Sequence, residues 1–382
     1  MRYVVVATLL LPALILAASA QSTAAAAASS PSTTGWLNAA AFPDLQAAVD
    51  ACPRGGTLYI PTGTHRVPSG GLVLSKPIAV RGEPGTRLVS FAAAPHQPVI
   101  RIESGTSELV GVQLFDLTLT NDARPDTLAP GNYGVQCNIV QPGGKVSELH
   151  LERVTAINMG DDGFHLDALG TGDRVFVFVG LRGVNATLCR GSGVHLHVGS
   201  LVSFSDCYFN ANDRCGVEAE NAEVSFSGCA FENNCRSRAV DPKWGGQVFL
   251  RACTMNRFDG CHWEQFATPG QPRNKRGLTL LYAQGCTISN SWFVNNKEDP
   301  DPSARGIYCT FGDAPGRMAT VIMPNRFDNV RTAIEVDSTA TGMAMDCVLY
   351  PQFVASGTGA MILPSDRVKS GLVVLGRGTV GK

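Results

Sequence analysis

From Val112 onward the chain repeats one pattern: apolar, any residue, apolar, two further residues, then Val, Leu or Cys, any residue, apolar. The pattern starts at Val112, Leu149, Val179, Val202, Val224, Val248 and Leu281, at intervals of 37, 30, 23, 22, 24 and 33 residues. Two-residue alternation marks strands with one buried face, and a period of this size marks a solenoid. One such coil cannot bury its own apolar face, so the coils must stack and share a continuous core. Upstream, Asp44 is placed to cap a short amphipathic helix, Leu45–Ala51, whose apolar face is Leu45, Ala48 and Val49. Short strands are expected at Thr57–Ile60, Leu72–Leu74, Ile78–Val80, Arg87–Val89 and Val99–Ile102, and again at Thr332–Asp337 and Met361–Leu363. Longer excursions at Asn121–Gly131, Ala168–Phe176, Phe266–Gly277 and Asn290–Arg305 read as loops on the solenoid.

Three segments align without a gap. They are Val154–Leu166, Val184–Leu196 and Cys207–Ala219, and each ends in glycine, an apolar residue, His or Glu, and an apolar residue. Side chains alternate along a strand, so Phe164, Leu166, Val194, Leu196, Val217 and Ala219 point inward. His165, His195 and Glu218 then form one outward column, with coils about 4.8 Å apart. Asp167, His197 and Glu220 form the next. Gln136 and Asn138 extend both columns one coil earlier. After a local shift, His262 and Glu264 are expected to extend them on the other side.

Composition narrows the function. Charged residues make up 16% of the chain, the formal net charge is -1, and no basic-aromatic patch is present, which argues against a nucleic-acid partner. Residues 1–20 have the form of a secretory signal: Arg2, the apolar run Val4–Ala17, and the small-residue site Ala18-Ser19-Ala20. The apolar run is short for a membrane span, and no second one follows. Residues 21–35 are rich in Ala, Ser, Thr and Pro and read as a disordered linker; 36–382 is then one solenoid domain, with no oligomeric state assigned. A secreted location follows as an expectation. Cys207, Cys229, Cys253 and Cys286 fall in the slot that Val154 and Val184 fill, which makes them buried thiols. Cys215 and Cys235 offer a loop bridge.

The columns carry the candidate chemistry. Neighbouring carboxylates such as Glu218 and Glu220 raise one another's pKa and favour a proton donor. Asp167 and Glu220, two coils apart, are separated by about 9–10 Å from the stack spacing, near the upper limit for inverting glycoside hydrolysis. The same His, Asp and Glu set has ligand types that suit zinc or manganese, but its spacing is wide for one ion, so no metal or other cofactor is expected. A lyase would need a base, His165 or His195, and a cation for a uronate carboxylate. The columns are expected to contain no Arg or Lys, leaving Arg101 and the loop with Arg273, Lys275 and Arg276 as basic candidates. A merely solvated polar face is the alternative to all of these.

Two resemblances add to this reading. The run Phe42-Pro-Asp-Leu-Gln-Ala-Ala-Val-Asp-Ala-Cys52, then Gly55-Gly-Thr-Leu-Tyr-Ile-Pro-Thr-Gly-Thr-His65 and Ile78-Ala-Val-Arg-Gly-Glu83, resembles the opening of pectate-lyase-superfamily right-handed parallel β-helices. That likeness implies an all-β, single-stranded right-handed parallel β-helix with a short N-terminal capping helix. Gly160-Asp-Asp-Gly-Phe-His-Leu166 and Gly191-Ser-Gly-Val-His-Leu-His197 resemble the Gly-Asp-Asp-Cys and Gly-His-Gly coils of polygalacturonases. The likeness implies an acid/base pair at Asp161 and Asp162. Ser192 stands where that family has His, Gly134-Val-Gln136 replaces Asn-Thr-Asp, and Gly216-Val-Glu-Ala-Glu220 replaces Arg-Ile-Lys. The expectation is an exported enzyme acting on a polysaccharide or oligosaccharide, most simply a carboxylate-dependent glycoside hydrolase. Its catalytic candidates are Asp161, Asp162, His165, Asp167, His195, His197, Glu218 and Glu220. Its substrate-binding candidates are Gln136, Asn138, His262, Glu264, Arg273 and Lys275. A uronate lyase and a non-catalytic glycan-binding β-helix are the other readings.

Overall fold

The computed structural model describes residues 36–90, 95–122, 129–139, 141–168, 175–237, 245–265, 276–295, 304–310, 318–337, 345–350, 352–354, 360–364, 372–374 and 379–380. The signal and linker segments fall outside these residues, as do most of the expected loop insertions.

Every strand pairing among the described residues is parallel, and each coil contributes to three sheets. The first sheet stacks Leu72–Leu74, Ile100–Ile102, Val135–Asn138, Phe164–Asp167 and the starts of Val194–Ser205 and Val217–Ser227. It continues through Val248–Arg251, Arg276–Leu281, Arg305–Thr310 and Thr332–Asp337. The second runs through Thr57–Tyr59, Ala79–Arg81 and the later strands aligned with them, including Arg257–Asp259 and Cys286–Ser289. The third includes Asn185–Thr187, Tyr208–Asn210, Ala230–Glu232, His262–Gln265 and Trp292–Asn295.

The interior is one continuous cluster, as the stacking of incomplete coils requires. Early coils fill it with aliphatic side chains. From the middle onward, rings stack coil on coil: Phe204, Phe226 and Phe258 at 4.5 and 4.7 Å, and Phe231, Trp263, Phe293 and Phe327 at 5.4, 4.3 and 5.0 Å. Each ring is fully buried and sits above its own kind, so both faces and edges gain contacts in register.

The helix Leu45–Ala51 forms as expected, with the Asp44 carboxylate accepting from the Ala47 N–H at 2.8 Å. Its Gln46 does more than complete a turn. The Gln46 amide accepts from the Val73 N–H at 2.9 Å and donates to the Val73 carbonyl at 3.2 Å. One side chain thereby satisfies backbone groups of the first strand of the first sheet, a place where an open edge would otherwise await another chain.

Two register expectations need correction. Val112, Leu149, Val179, Val202 and Val224 do share a column, but Val248 stacks on Val217 in the first sheet, and Leu281 stacks on Arg251. The cysteine column runs Cys207, Cys229, Cys261; Cys253 and Cys286 belong to other positions. All five are buried, and the Cys207 thiol donates to the Leu181 and Ser205 carbonyls, both at 3.3 Å. Cys215 and Cys235 pack together as buried thiols beside Phe249 and Leu281, with no bridge between them.

Candidate functional site

The site lies where the third sheet turns back into the first. That turn passes through Gly134, Gly163, Gly193 and Gly216, one per coil. A Cβ on Gly134, Gly163 or Gly193 would meet the carbonyl oxygen of the next glycine at 2.5, 2.7 and 2.5 Å. The coils can therefore close on one another only without side chains there, which is why each aligned segment carries glycine before its outward His or Glu. A second device is internal. The Asn212 amide accepts from the Cys189 N–H and donates to Asn234 at 2.8 Å, and Asn234 donates to Gln247 at 2.8 Å. This buried ladder satisfies the turn backbones that would otherwise be orphaned.

On this frame the expected columns form. Gln136, His165, His195 and Glu218 are register partners, as are Asn138, Asp167, His197 and Glu220. Arg101 stands before Gln136; Phe249 and Arg251 follow Glu218 and Glu220. His262 and Glu264 do not join these columns. They pair with Ala230 and Glu232 in the third sheet, and the chain between the two sheets had concealed the change of face. Arg276, expected on a solvent loop, is buried in a first-sheet strand with its guanidinium 3.7 Å from the Tyr308 ring centre. Arg273 and Lys275 lie outside the described residues.

The turns add Asp161 and Asp162 to the columns. Asp162 is buried. It accepts from the Ser192 N–H at 2.6 Å and faces His165 Nδ1 at 2.8 Å, and the other ring nitrogen of His165 stands 3.9 Å from Asp167. Asp161 accepts from the Gly131 N–H at 3.1 Å. Both carboxylates crowd Gly191, where a Cβ would meet Asp162 Oδ1 at 2.3 Å and Asp161 Oδ1 at 2.7 Å. His197 Nδ1 faces Asp167 at 2.9 Å. Glu218 accepts from Ser192 Oγ at 3.0 Å and pairs with Arg214 at 2.8 Å; His195 Nδ1 stands 3.9 Å away.

These surroundings drive the acids apart. Burial, and then the charge of Asp162, raise the Asp161 carboxyl above the usual carboxylate range. Burial pushes Glu218 the same way, but His195, Arg214 and Ser192 outweigh it and hold Glu218 below that range. For His195, burial opposes protonation, yet Glu218, Asp162 and Asp167 together raise it. One acid is thus pushed toward its protonated form and another, in the neighbouring coils, toward its ionised form, the kind of divergence from which acid and base roles are assigned.

Three residues escaped the sequence reading. Tyr133 occupies the slot of Asp162 one coil earlier; its ring stacks on His165 at 4.3 Å, and His165 stacks on His195 at 5.0 Å. Burial first, and then Asp161 and Asp162, raise the Tyr133 hydroxyl. Its alignment one residue before Gly134, as Asp162 precedes Gly163, was the available signal. Arg214 and Arg251 correct the expectation that no cation stands at the columns. Among the described residues, the three metal-type donors that converge, within 4.8 Å, are Glu232, His262 and Glu264 on the third sheet, not the groove residues. No described helix is long and apolar enough to cross a membrane.

The fold is a right-handed parallel β-helix. A right-handed β-helix region family matches residues 169–347. The surface adhesin PfbA of Streptococcus pneumoniae is similar at 9% identity and a TM-score of 0.58, over 91% of this chain and 90% of that one. The catalytic domain of a GH87 α-1,3-glucanase is similar at 11% identity and 0.57, over 86% and 60%. A family 28 exopolygalacturonase of Yersinia enterocolitica is similar at 11% and 0.54, over 90% and 78%. At such identities the likeness is one of fold. No curated protein matches the chain.

Proposed function

We propose that the groove along the first sheet is the active site of an exported polysaccharide-cleaving glycoside hydrolase. The observation that carries this reading is the pair Asp161 and Asp162 at Gly191, with Asp161 lifted toward its protonated form by burial and by its neighbour. In this mechanism Asp161 gives its proton to the departing glycosidic oxygen. Asp162 adds to the burial that raises the Asp161 carboxyl, and orients His165. Asp167, held by His197, takes a proton from the attacking water. Glu218, fixed by Arg214 and Ser192, favours the charged form of His195 beside the reacting centre. An open row of outward side chains along a solenoid suits a chain-like substrate, and two of the similar folds are named as glycanases.

The test is product release from a panel of plant, algal and bacterial polysaccharides. Asp161→Asn is expected to lower turnover by about 10²–10⁴, the contribution of a positioned acid. Unchanged turnover sinks the assignment. Export has its own check: protein recovered from the medium should begin at Gln21.

A lyase is the second reading, favoured by Arg101, the expected basic candidate, and by Arg214 and Arg251, cations the columns were expected to lack. All three are already ion-paired with protein carboxylates, at 2.8, 2.8 and 3.5 Å, which supports hydrolysis over elimination. A lyase would release unsaturated, ultraviolet-absorbing products.

A further inference from the structure

Beyond Gln136 and Asn138 the columns open into a pocket of about 460 Å³, whose polar lining is Arg101, Glu103, Ser104, Gln136, Asn138 and Gln141. It adjoins the acid cluster directly, because Gln136 stacks on His165 and Asn138 on Asp167. Its character differs from the cluster. Arg101 and Glu103 neutralise each other at 2.8 Å, and the remaining lining is three carboxamides and a hydroxyl. Asn138 Oδ1 is buried and has no hydrogen-bond partner among the described residues. A buried acceptor left unmade is costly, so this oxygen calls for a donor. A sugar hydroxyl both donates and accepts; a carboxylate only accepts.

The rest of the groove repels anions. Asp162, Asp167, Glu218 and Glu220 stand along it, and its cations are already committed: Arg214 and His195 to Glu218, Arg251 to Glu220. A polyuronate laid on this surface would set like charges against one another and leave its own carboxylates unpaired, a built-in penalty against that ligand.

We propose that this pocket is the subsite for an uncharged, hydroxyl-rich sugar unit, and that the groove selects neutral glycans over uronates. The proposal rests on reading the groove as a polysaccharide site. It assigns Gln136, Asn138 and Gln141 to substrate binding through hydroxyls, and it gives Glu103 a specificity role: by occupying Arg101 it withholds the one guanidinium that could grip a carboxylate.

Titration calorimetry on the full chain tests it, using gluco-, manno-, xylo- and galacto-oligosaccharides beside oligogalacturonate of equal length, with and without calcium. At least one neutral series is expected to bind about tenfold or more tighter than the uronate, the ratio that one hydrogen bond of about 1.4 kcal/mol supplies. Asn138→Ala should weaken that binding about tenfold, with the thermal midpoint of the protein monitored to show that the fold is kept. Glu103→Gln should raise uronate affinity several-fold, a gain that misfolding cannot produce. Tighter uronate binding in either condition, binding of neither class, or indifference of neutral binding to Asn138→Ala would overturn the proposal. Neutral oligosaccharide binding without product release supports the subsite and defeats only the hydrolase reading.

Discussion

The first and third sheets present the same kinds of side chain on the same ladder. On the first, His165 and His195 stack at 5.0 Å beside Asp167, Glu218 and Glu220. On the third, His262 stacks on Trp292 at 4.9 Å beside Glu232 and Glu264. What differs is the approach of the chain. The turn into the first sheet lays Asp161, Asp162, Ser192 and Arg214 over the column and buries the charges against one another. The third sheet has Tyr208 donating to Glu232 at 2.6 Å, and Arg326 over Trp292 at 5.0 Å, contacts made within its own ladder. A row of stacked polar residues alone is a solvated wall. It becomes a candidate site where a second element brings ionisable groups across it and shifts their protonation.

The comparison breaks most readily at the acids. Asp161→Asn should remove nearly all turnover, by about 10²–10⁴, whereas Glu232→Gln and Glu264→Gln on the third sheet should change it less than about twofold, within the range of surface substitutions. Equal losses on both faces would end the distinction. Gly191→Ala comes next. Its Cβ cannot coexist with both carboxylate oxygens at 2.3 and 2.7 Å. Turnover should fall about 10²-fold through misplacement of the pair, with little change in circular dichroism.

A pH profile sharpens the same point. As a proton donor, Asp161 works below its pKa, so turnover should hold through mildly acid pH and fall as pH rises through that raised value. Burial is the larger cause of the shift and the Asp162 charge the second. Asp162→Asn removes the second, lowers the Asp161 pKa, and should move the basic limb to lower pH. A limb that stays in place contradicts the coupling. The smallest loss among the first-sheet variants is expected at Tyr133→Phe, which keeps the stack on His165 and loses the hydroxyl near Asp161. About tenfold in turnover, equivalent to one hydrogen bond, is the expected loss.

Much of this arrangement was readable along the chain, and the failures share one cause. The gapless alignment of Val154–Leu166, Val184–Leu196 and Cys207–Ala219 identified true neighbours because the passage from the third sheet into the first has the same length in all three coils. After Glu232 the coil lengthens, and local pattern no longer tells which sheet a strand joins, since all three bury alternate apolar residues. Val248, Leu281, Cys253, Cys286, His262 and Glu264 were misplaced for that reason. Arg251 was missed with them, because it enters the groove only once Val248 is put beneath Val217 in register. Arg214 and Tyr133 lie in turns, where alternation gives no direction for a side chain. The pairing of Arg214 with Glu218, and the stacking of Tyr133 on His165, are consequences of how tightly the glycine column lets the coils approach.

The most direct measurement is cleavage in water enriched in oxygen-18, over neutral and acidic polysaccharides, with mass analysis of the new chain ends. Hydrolysis at the first-sheet groove predicts one heavy oxygen at each new reducing end, lost in Asp161→Asn and retained in Glu232→Gln. Unsaturated products without the heavy oxygen, or undiminished labelling in Asp161→Asn, would contradict it.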